Sequence, residues 1–517
     1  MNILLLSMPN SSEHMPAGAI RLPNGALTSL AGNVDPHHKV AVADLILVQT
    51  AVKETISRLM DEWNPDLVGL SIMTFQRPTA MEIIKFVRSL KPGVLIAVGG
   101  YDPSLAWEVY TDPSGPGVDF VIKGEGEVTF RELLRAIESK SSYDNIAGLS
   151  FRVEDGFHHN HSRPNGNLEG DAIKPPNRGA RVLSGYTLLG RPIDVVETSR
   201  GCTFDCSFCS IIEMRGRNFH KFPLDRVIAD IRDAYNRDAR AIFFVDDNIT
   251  LDVRRFVALC QAIVDAGLNS VIYSVQAMTS TIANHGATLA PLMRRAGFRY
   301  VFLGIENVLD KDLSLFKAAT KNTRRVNGRR TGNAAIDAIQ YLHRHGMYVV
   351  GGLIVGNPDD TREDIEANLD FARNWIDWPY IQHPTPYPRT PMTSELRDKG
   401  LITVADVAEY DGTTAVVACK NLPGREIEFI RWKAERWMKL RHVPAMLRHY
   451  PLFVLRHGPK LLAFTFRGST IRSLLGLEDE RKAFERYCIM QKAARDYFNT
   501  QRAGGSPATA PALRHAV

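Results

Sequence analysis

Three cysteines fall within eight residues, Cys202-Thr203-Phe204-Asp205-Cys206-Ser207-Phe208-Cys209, in a chain that has only six. The C-x3-C-x2-C spacing can bring three thiolates to three irons of a cuboidal iron-sulfur cluster and leave the fourth iron without a protein ligand. An iron with a free position can bind and activate a small molecule, whereas an electron-carrying cluster normally takes four cysteines and a structural zinc needs four ligands. Two plainer readings stay open on spacing alone: three buried thiols, or a zinc site completed by a distant ligand such as His220.

Such a loop must be held by regular elements, and the flanking sequence supplies them. From about 191 to 400, six β-rich runs (194–197, 241–245, 271–275, 300–303, 349–355 and 380–383) alternate with helical patterns such as 223–234 and 253–266. This predicts a partial (β/α)6 TIM-type barrel, whose reactive loops lie at the carboxyl ends of the strands. The polar and small residues fall there. Asp246-Asp247-Asn248 follows the second run, where adjacent carboxylates can hold an ammonium and hydroxyls or merely cap the next helix. Gln276 follows the third, Gly304-Ile305-Glu306-Asn307 ends the fourth, and the fifth carries Gly352, Ile354 and Gly356 before Pro358.

Residues 1–140 show the same rhythm: apolar runs at 3–6, 40–45, 67–71, 94–98 and 120–122, with helical patterns at 51–63, 79–90 and 129–137. The expectation is a doubly wound, Rossmann-like α/β domain with a mostly parallel sheet. Its candidate ligand loops are Ser71-Ile72-Met73-Thr74, Gly99-Gly100-Tyr101 and Gly124-Glu125-Gly126-Glu127, each directly after a strand. Residues 141–190 read as a linker with a small strand or two at 149–153. His158, His159 and His161 lack an acidic or cysteine partner at ligand spacing and read as exposed loop histidines.

The segment Val195-Val196-Glu197-Thr198-Ser199-Arg200-Gly201-Cys202 resembles the cluster loop of the radical S-adenosylmethionine enzymes, and the likeness continues through the strands downstream. The resemblance implies that Cys202, Cys206 and Cys209 hold a [4Fe-4S] cluster. The open iron would be chelated by S-adenosylmethionine, whose reductive cleavage gives a 5′-deoxyadenosyl radical. It further implies that Asp246, Asp247 and Asn248 meet the amino group, and that Gln276 meets the methionine carboxylate or ribose. Gly304 and Glu306 would reach the ribose hydroxyls or the amino group, while Gly352, Ile354 and Gly356 lay backbone along the adenine. Relatives tend to have glycine where Arg389 stands, so an altered turn is expected there rather than a substrate contact.

The amino-terminal loops resemble the cobalamin-binding domain of one large branch of that family, which implies that Ser71, Thr74, Gly99, Gly100, Gly124, Gly126 and Glu127 surround the corrinoid's nucleotide tail. The D-x-H-x-x-G signature is absent, since Asp44 is followed by Leu45 and Ile46, so no protein histidine is expected on cobalt. The implied activity is methylation of an unactivated carbon of a small, hydrophobic molecule, with electrons from a flavodoxin or ferredoxin. Cyclisation or rearrangement, as in the anaerobic protoporphyrin cyclases, uses the same cofactors. Methylthiotransferases carry further amino-terminal cysteines, and this chain has none before Cys202. A cobalamin or redox sensor with a non-catalytic cluster is the rival of another class.

At 517 residues the chain suggests about three domains. No apolar run approaches the eighteen or so residues of a membrane span, and Met1-Asn2-Ile3-Leu4-Leu5-Leu6 reads as a buried strand, which together imply the cytoplasm. The net charge of +6 fits a solvated basic surface and gives no ground for a nucleic-acid partner. Residues 401–500 turn helical and basic. Phe429, Trp432, Trp437 and Leu440 share a helical arc with Arg431, Lys433 and Lys439 beside it, which suits a helix packed on the barrel. A lid, an anionic substrate's dock and peripheral contact with a lipid surface stay open. Residues 501–517 read as a disordered tail.

Overall fold

The structure, a computed structural model, describes residues 1–498 except 12, 13, 15, 17, 113, 116, 327 and 328, with no side chains for 325–333. The expected tail at 501–517 lies outside the described residues.

The first sheet is built on β1 (Asn2–Ser7), β2 (Lys39–Asp44), β3 (Leu67–Ser71), β4 (Leu95–Gly99) and β5 (Phe120–Ile122), all parallel in the order β2-β1-β3-β4-β5. Near-continuous apolar runs suit strands covered on both faces. Alternate residues of β1 divide between two cores. Leu4 and Leu6 join the core under the helices Val52–Trp63 and Arg77–Leu90, while Ile3 and Leu5 join the one under Gly25–Asn33 and Gly126–Ser139. Two further strands, β6 (Leu149–Val153) and β7 (Gly156–His159), add on antiparallel. The first sheet thus reaches past residue 140, into the stretch read as linker. His158 and His159 are exposed on β7 rather than on a loop, and His159 shares a hydrogen bond with Ser150.

The second sheet carries the six expected strands in sequential order, β8 (Arg191–Val196), β9 (Ala241–Phe244), β10 (Ile272–Met278), β11 (Phe298–Glu306), β12 (Tyr348–Ile354) and β13 (Trp378–Gln382), all parallel. Beyond β8 the sheet continues through Thr187–Leu188 to Ile20–Arg21, so a loop of the first domain supplies its edge.

The helix Gly424–Met438 closes the open side beside β13. Its Ile427 meets Gly356 at the carboxyl end of the strands, and the turn that follows brings His442 against Trp378 at the amino end. The arc expected there is split: Trp432 is buried against Phe484 and Tyr487, whereas Trp437 is half exposed against Phe466. Arg431 is buried and donates to His383 Nε2 at 3.1 Å and the Thr413 carbonyl at 2.9 Å. The packed-helix expectation holds. Among the described residues no helix is long and apolar enough to cross a membrane.

Residues 178–182 bind the two sheets together. Val182 N donates to Val42 O of β2, Arg181 grips Asp194 of β8 at 2.7 and 2.9 Å, and Arg178 sits among Asp194, Asp230 and Asp233 while donating to Val195 O. Burial alone would raise the Asp194 carboxyl, but Arg181 and Arg178 hold it below its usual range. Replacing Arg178 by Met leaves Asp194 and Asp230 short of their counter-charge in a dry site. The expected cost is about 3–5 kcal/mol, read as a fall in the urea unfolding midpoint.

Candidate active site between two sheet edges

The register of the first sheet aligns its carboxyl edge: Asp44 lies opposite Ser7, Ser7 opposite Ser71, and Ser71 opposite Gly99. In a sheet of order 2-1-3-4-5 the crevice outside the β1/β3 ends is where ligands bind. A cavity of about 360 Å³ opens there, and the second domain forms its other wall. Ser71, Gly99, Gly100, Gly124, Gly126 and Glu127 line one side, and Glu197, Arg200, Arg215 and Asp247 the other. Of the residues expected on this edge, Thr74 is buried outside the lining.

The chain at Gly100 has φ +101, and a Cβ there would stand 2.9 Å from the Ile72 backbone. Gly99 differs: a Cβ would make only ordinary contacts, 3.7 Å or more from Ile122. The glycines therefore leave a bare backbone rim that a bulky ligand can approach. The helix Gly25–Asn33, unforeseen in the sequence, aims its amino end at the same space, with Asn24 capping Leu27 N and lying 3.4 Å from Ser71 Oγ. Asp44, where a histidine motif would start, accepts instead from Tyr186 at 2.5 Å.

The cluster loop leaves β8 and is fixed at several points. Asp246 is buried and accepts from Thr198 N and Oγ1 and from Ser199 Oγ, the last two at 2.7 and 2.5 Å. Burial pushes its carboxyl up to about 7 against these hydrogen bonds. The resemblance implied an ammonium contact here, but these oxygens hold the start of the loop. Asp247 accepts from Gly201 N at 2.8 Å, and a Cβ on Gly201, at φ +89, would meet the Asn218 carbonyl at 2.5 Å. Farther on, Ser207 N donates to Phe316 O and Ser207 O accepts from Met392 N.

Cys206 packs among Phe316, Ile354 and Met392, and burial pushes its thiol up to about 12; the same cause takes Cys209 to about 11. Without a cation such thiols stay protonated, so this donor set fits a positively charged metal cluster rather than a free nucleophile. Among the described residues, the group with three ligand atoms within 4.8 Å of one another is His37, His38 and Glu138. Asn248 Nδ2 lies 3.7 Å from Cys202 Sγ, placed to donate to a ligating thiolate.

On the neighbouring strand ends, Gln276 is half-buried in β10, and Gly304 and Gly352 pair across β11 and β12. A register shift after Gly304 sets Glu306 at φ +63, a strained conformation for a glutamate that costs about 1–3 kcal/mol. Lys321, which the sequence reading missed, meets it at 2.9 Å. Burial opposes its charge, yet the Glu306 carboxylate beside it holds the Lys321 ammonium above its usual range. A Cβ on Gly304 would stand 2.8 Å from Glu306 Oε1, so glycine leaves room for the pair. Ile354 is buried with its carbonyl accepting from Asn307, and Gly356, at φ +84, passes beside Ile427 and His383. An altered turn was expected at Arg389, but its φ of +64 is the left-handed conformation a glycine would adopt; the arginine also donates to Leu105 O and pairs with Glu108 of the first domain.

The two walls meet at Arg200, two residues before Cys202. Its guanidinium donates to Glu127 at 2.6 Å and to both oxygens of Glu197 at 2.9 Å, with Glu125 at 3.5 Å. Ser29 completes the Glu127 site at 2.8 Å. Glu127 was expected to touch a corrinoid; both its oxygens are occupied by the protein.

Residues 196–372 match the family model described as the Radical SAM superfamily, and residues 26–134 match the one described as the B12 binding domain. The chain is 28% identical over 437 residues to an uncharacterized methyltransferase of Pyrococcus horikoshii, covering 84% of this chain and 91% of that protein. It is 25% identical over 414 residues to the anaerobic magnesium-protoporphyrin IX monomethyl ester cyclase of Cereibacter sphaeroides, covering 78% and 63%. Among solved structures, the radical S-adenosylmethionine methyltransferase TsrM from Kitasatospora setae, with cobalamin and a [4Fe-4S] cluster bound, shares the fold. Its TM-score is 0.61 at 20% identity, over 77% of this chain and 78% of that one.

The Glu127 pair has a pH signature. Burial alone would raise this carboxyl, but Arg200 and Ser29 hold it at about 2 in the folded chain, against about 4.3 unfolded. The contribution, about 3 kcal/mol, is present above pH 4.3 and lost as pH falls towards 2. Glu127→Gln should therefore lower the urea midpoint at pH 7 and flatten its decline between about pH 4.5 and 2.

Proposed function

The chain belongs to the radical S-adenosylmethionine superfamily and carries a B12-binding domain ahead of its barrel, and from that premise we propose that it methylates an unactivated carbon of a small molecule. When bound, its [4Fe-4S] cluster, S-adenosylmethionine and cobalamin supply a hydrogen-abstracting radical and a transferable methyl group. The observation that carries the reading is the shared cavity. One space is bordered by the glycine rim of the first sheet, by Glu197 and Arg200 at the start of the cluster loop, and by Asp247 after β9. A donor of methyl groups seated on the rim would then lie beside the site of radical formation, as the transfer requires.

Cys202, Cys206 and Cys209 would hold the cluster, with Asn248 donating towards Cys202. Glu306 and Gln276, with backbone from Gly304, Gly352, Ile354 and Gly356, would orient S-adenosylmethionine. Lys321 and Glu306 offer opposite charges side by side, a match for the carboxylate and ammonium of a methionine moiety. Asp246 acts by fixing the loop, since its oxygens bind Thr198 and Ser199, whereas Asp247 accepts from Gly201 N through Oδ2 and borders the cavity, where it would meet the amino group. Ser71, Gly99, Gly100, Gly124 and Gly126 would border the cobalamin, and Glu127 supports that wall through Arg200. Electrons would come from a flavodoxin or ferredoxin, in the cytoplasm, where thiolates stay reduced.

Two experiments test this. Anaerobically reconstituted protein, given S-adenosylmethionine and a reductant, should form 5′-deoxyadenosine, and serine at Cys202, Cys206 and Cys209 together should abolish it. No 5′-deoxyadenosine from the wild type would return the chain to a sensor. A deuterated methyl donor should leave label on the substrate; an unlabelled ring product would mean cyclisation. Separately, Gly99→Leu has room at Cβ and extends over the rim. Cobalamin retained per chain should fall at least tenfold while iron per chain is unchanged, read by absorbance and iron assay.

A further inference from the structure

The last third of the chain carries a surface that the reaction does not use. Between Arg436 and Leu477 there are eight lysines and arginines and no aspartate or glutamate. The helix Pro451–Thr465 lies within this run. Its inner side is anchored: Phe453 is buried and would touch a Cβ on Gly190 at 3.0 Å, and Leu461 lies 3.6 Å from the position of a Cβ on Gly18. Phe453 shares a core with Ala19, Leu189, Met446 and Tyr450, and Ile272 and Tyr300, at the amino ends of β10 and β11, pack against it. The helix is therefore fastened across the barrel floor, remote from the carboxyl-end cavity.

Its other side faces water with the wrong chemistry for water. Leu452 is 80% exposed, Leu455 76% and Leu462 47%. Spaced three and seven apart, they form one stripe along the helix. Arg456 and Lys460 are exposed beside them, Arg448 and Arg472 are exposed on the flanking segments, and none of these four makes an ion pair among the described residues. Downstream, Ile471, Leu475 and Leu477 are 78, 68 and 65% exposed. A surface cation is normally solvated or paired, and exposed leucines normally come singly. Here unpaired cations and a leucine stripe share one helix, with no carboxylate to repel an anion.

We propose that this surface rests on an anionic lipid bilayer, the leucines entering the acyl boundary and the cations meeting the headgroups. Apolar side chains interleaved with Lys and Arg are the signature of an interfacial helix, which lies in the membrane plane without crossing it. A protein partner would have to offer an acidic surface and an apolar groove together; a lipid surface offers both everywhere. Docking this way leaves the cavity at the other end of the barrel open to the cytoplasmic side. The inference is independent of which reaction the cavity performs.

Flotation of the full-length, cluster-loaded protein with vesicles provides the test. With phosphatidylcholine vesicles containing a third phosphatidylglycerol, the protein should float at low salt, and binding should drop at least tenfold with pure phosphatidylcholine or in 0.5 M salt. Leu452→Ser, Leu455→Ser and Leu462→Ser combined, and separately Arg456→Glu with Lys460→Glu, should each reduce binding at least tenfold. All these side chains are exposed, so unchanged far-ultraviolet dichroism and thermal midpoint will show that folding is intact. Wild type that floats no better than without vesicles, or leucine variants that bind as well as wild type, would overturn the proposal. So would a wild-type dimer that the serine variant converts to a monomer without any vesicle binding, which would assign the stripe to a second copy of the chain.

Discussion

One guanidinium, buried between two domains, sets the geometry on which the rest depends. Arg200 sits two residues ahead of the first cluster cysteine and touches Glu127 and Glu197, with Glu125 close by. Taking such a group out of water is expensive, and only a full set of charged partners makes it tolerable. That requirement is directional. A rotation of either domain by a few ångströms would strip the arginine of a carboxylate, so the rim of the first sheet and the cluster loop are held at one separation. Glu127, on the helix that follows β5, is thus a determinant of how the two halves meet.

The architecture was legible because its signals are local and repeated. Five short apolar runs in residues 1–140 and six in 191–400 correspond to the strands of the two parallel sheets, since a strand covered on both faces must be apolar throughout. The glycines of the rim were also legible, because small residues directly after strands mark places where backbone must be approached. Arg389 was read as altering a turn where relatives carry glycine, yet its φ of +64 keeps the left-handed form that glycine favours.

What escaped the sequence was contact between distant segments. Nothing in Lys321 itself points to Glu306, fifteen residues earlier and across a turn; the pair exists because a bulge in β11 rotates the glutamate inward. Asp246 carried a ligand-binding expectation because it stands after a strand. Its neighbour in space, the Thr198-Ser199 step, takes up its oxygens, and no one-dimensional pattern distinguishes those outcomes. The strand β7 was hidden by a histidine-rich composition that reads as loop, whereas β6 falls on the small strand expected at 149–153. The helix Gly25–Asn33 lacks the apolar periodicity of its neighbours, with Ser29 and Asn33 among its buried residues.

The tether at Arg389 has a consequence for traffic. It pins the loop after β13 to Leu105 and Glu108, while the 178–182 segment, through Arg181 to Asp194 and Val182 to Val42, and Arg200, through Glu127, pin the opposite strand β8 and the loop behind it to the first domain. With fastenings at both ends of the half-barrel, the seam cannot gape like a hinged shell. Passage of a reactant in and of a product out must then rely on the loops around the mouth yielding one at a time, so turnover would be throttled by small local breathing rather than by any swing of the halves.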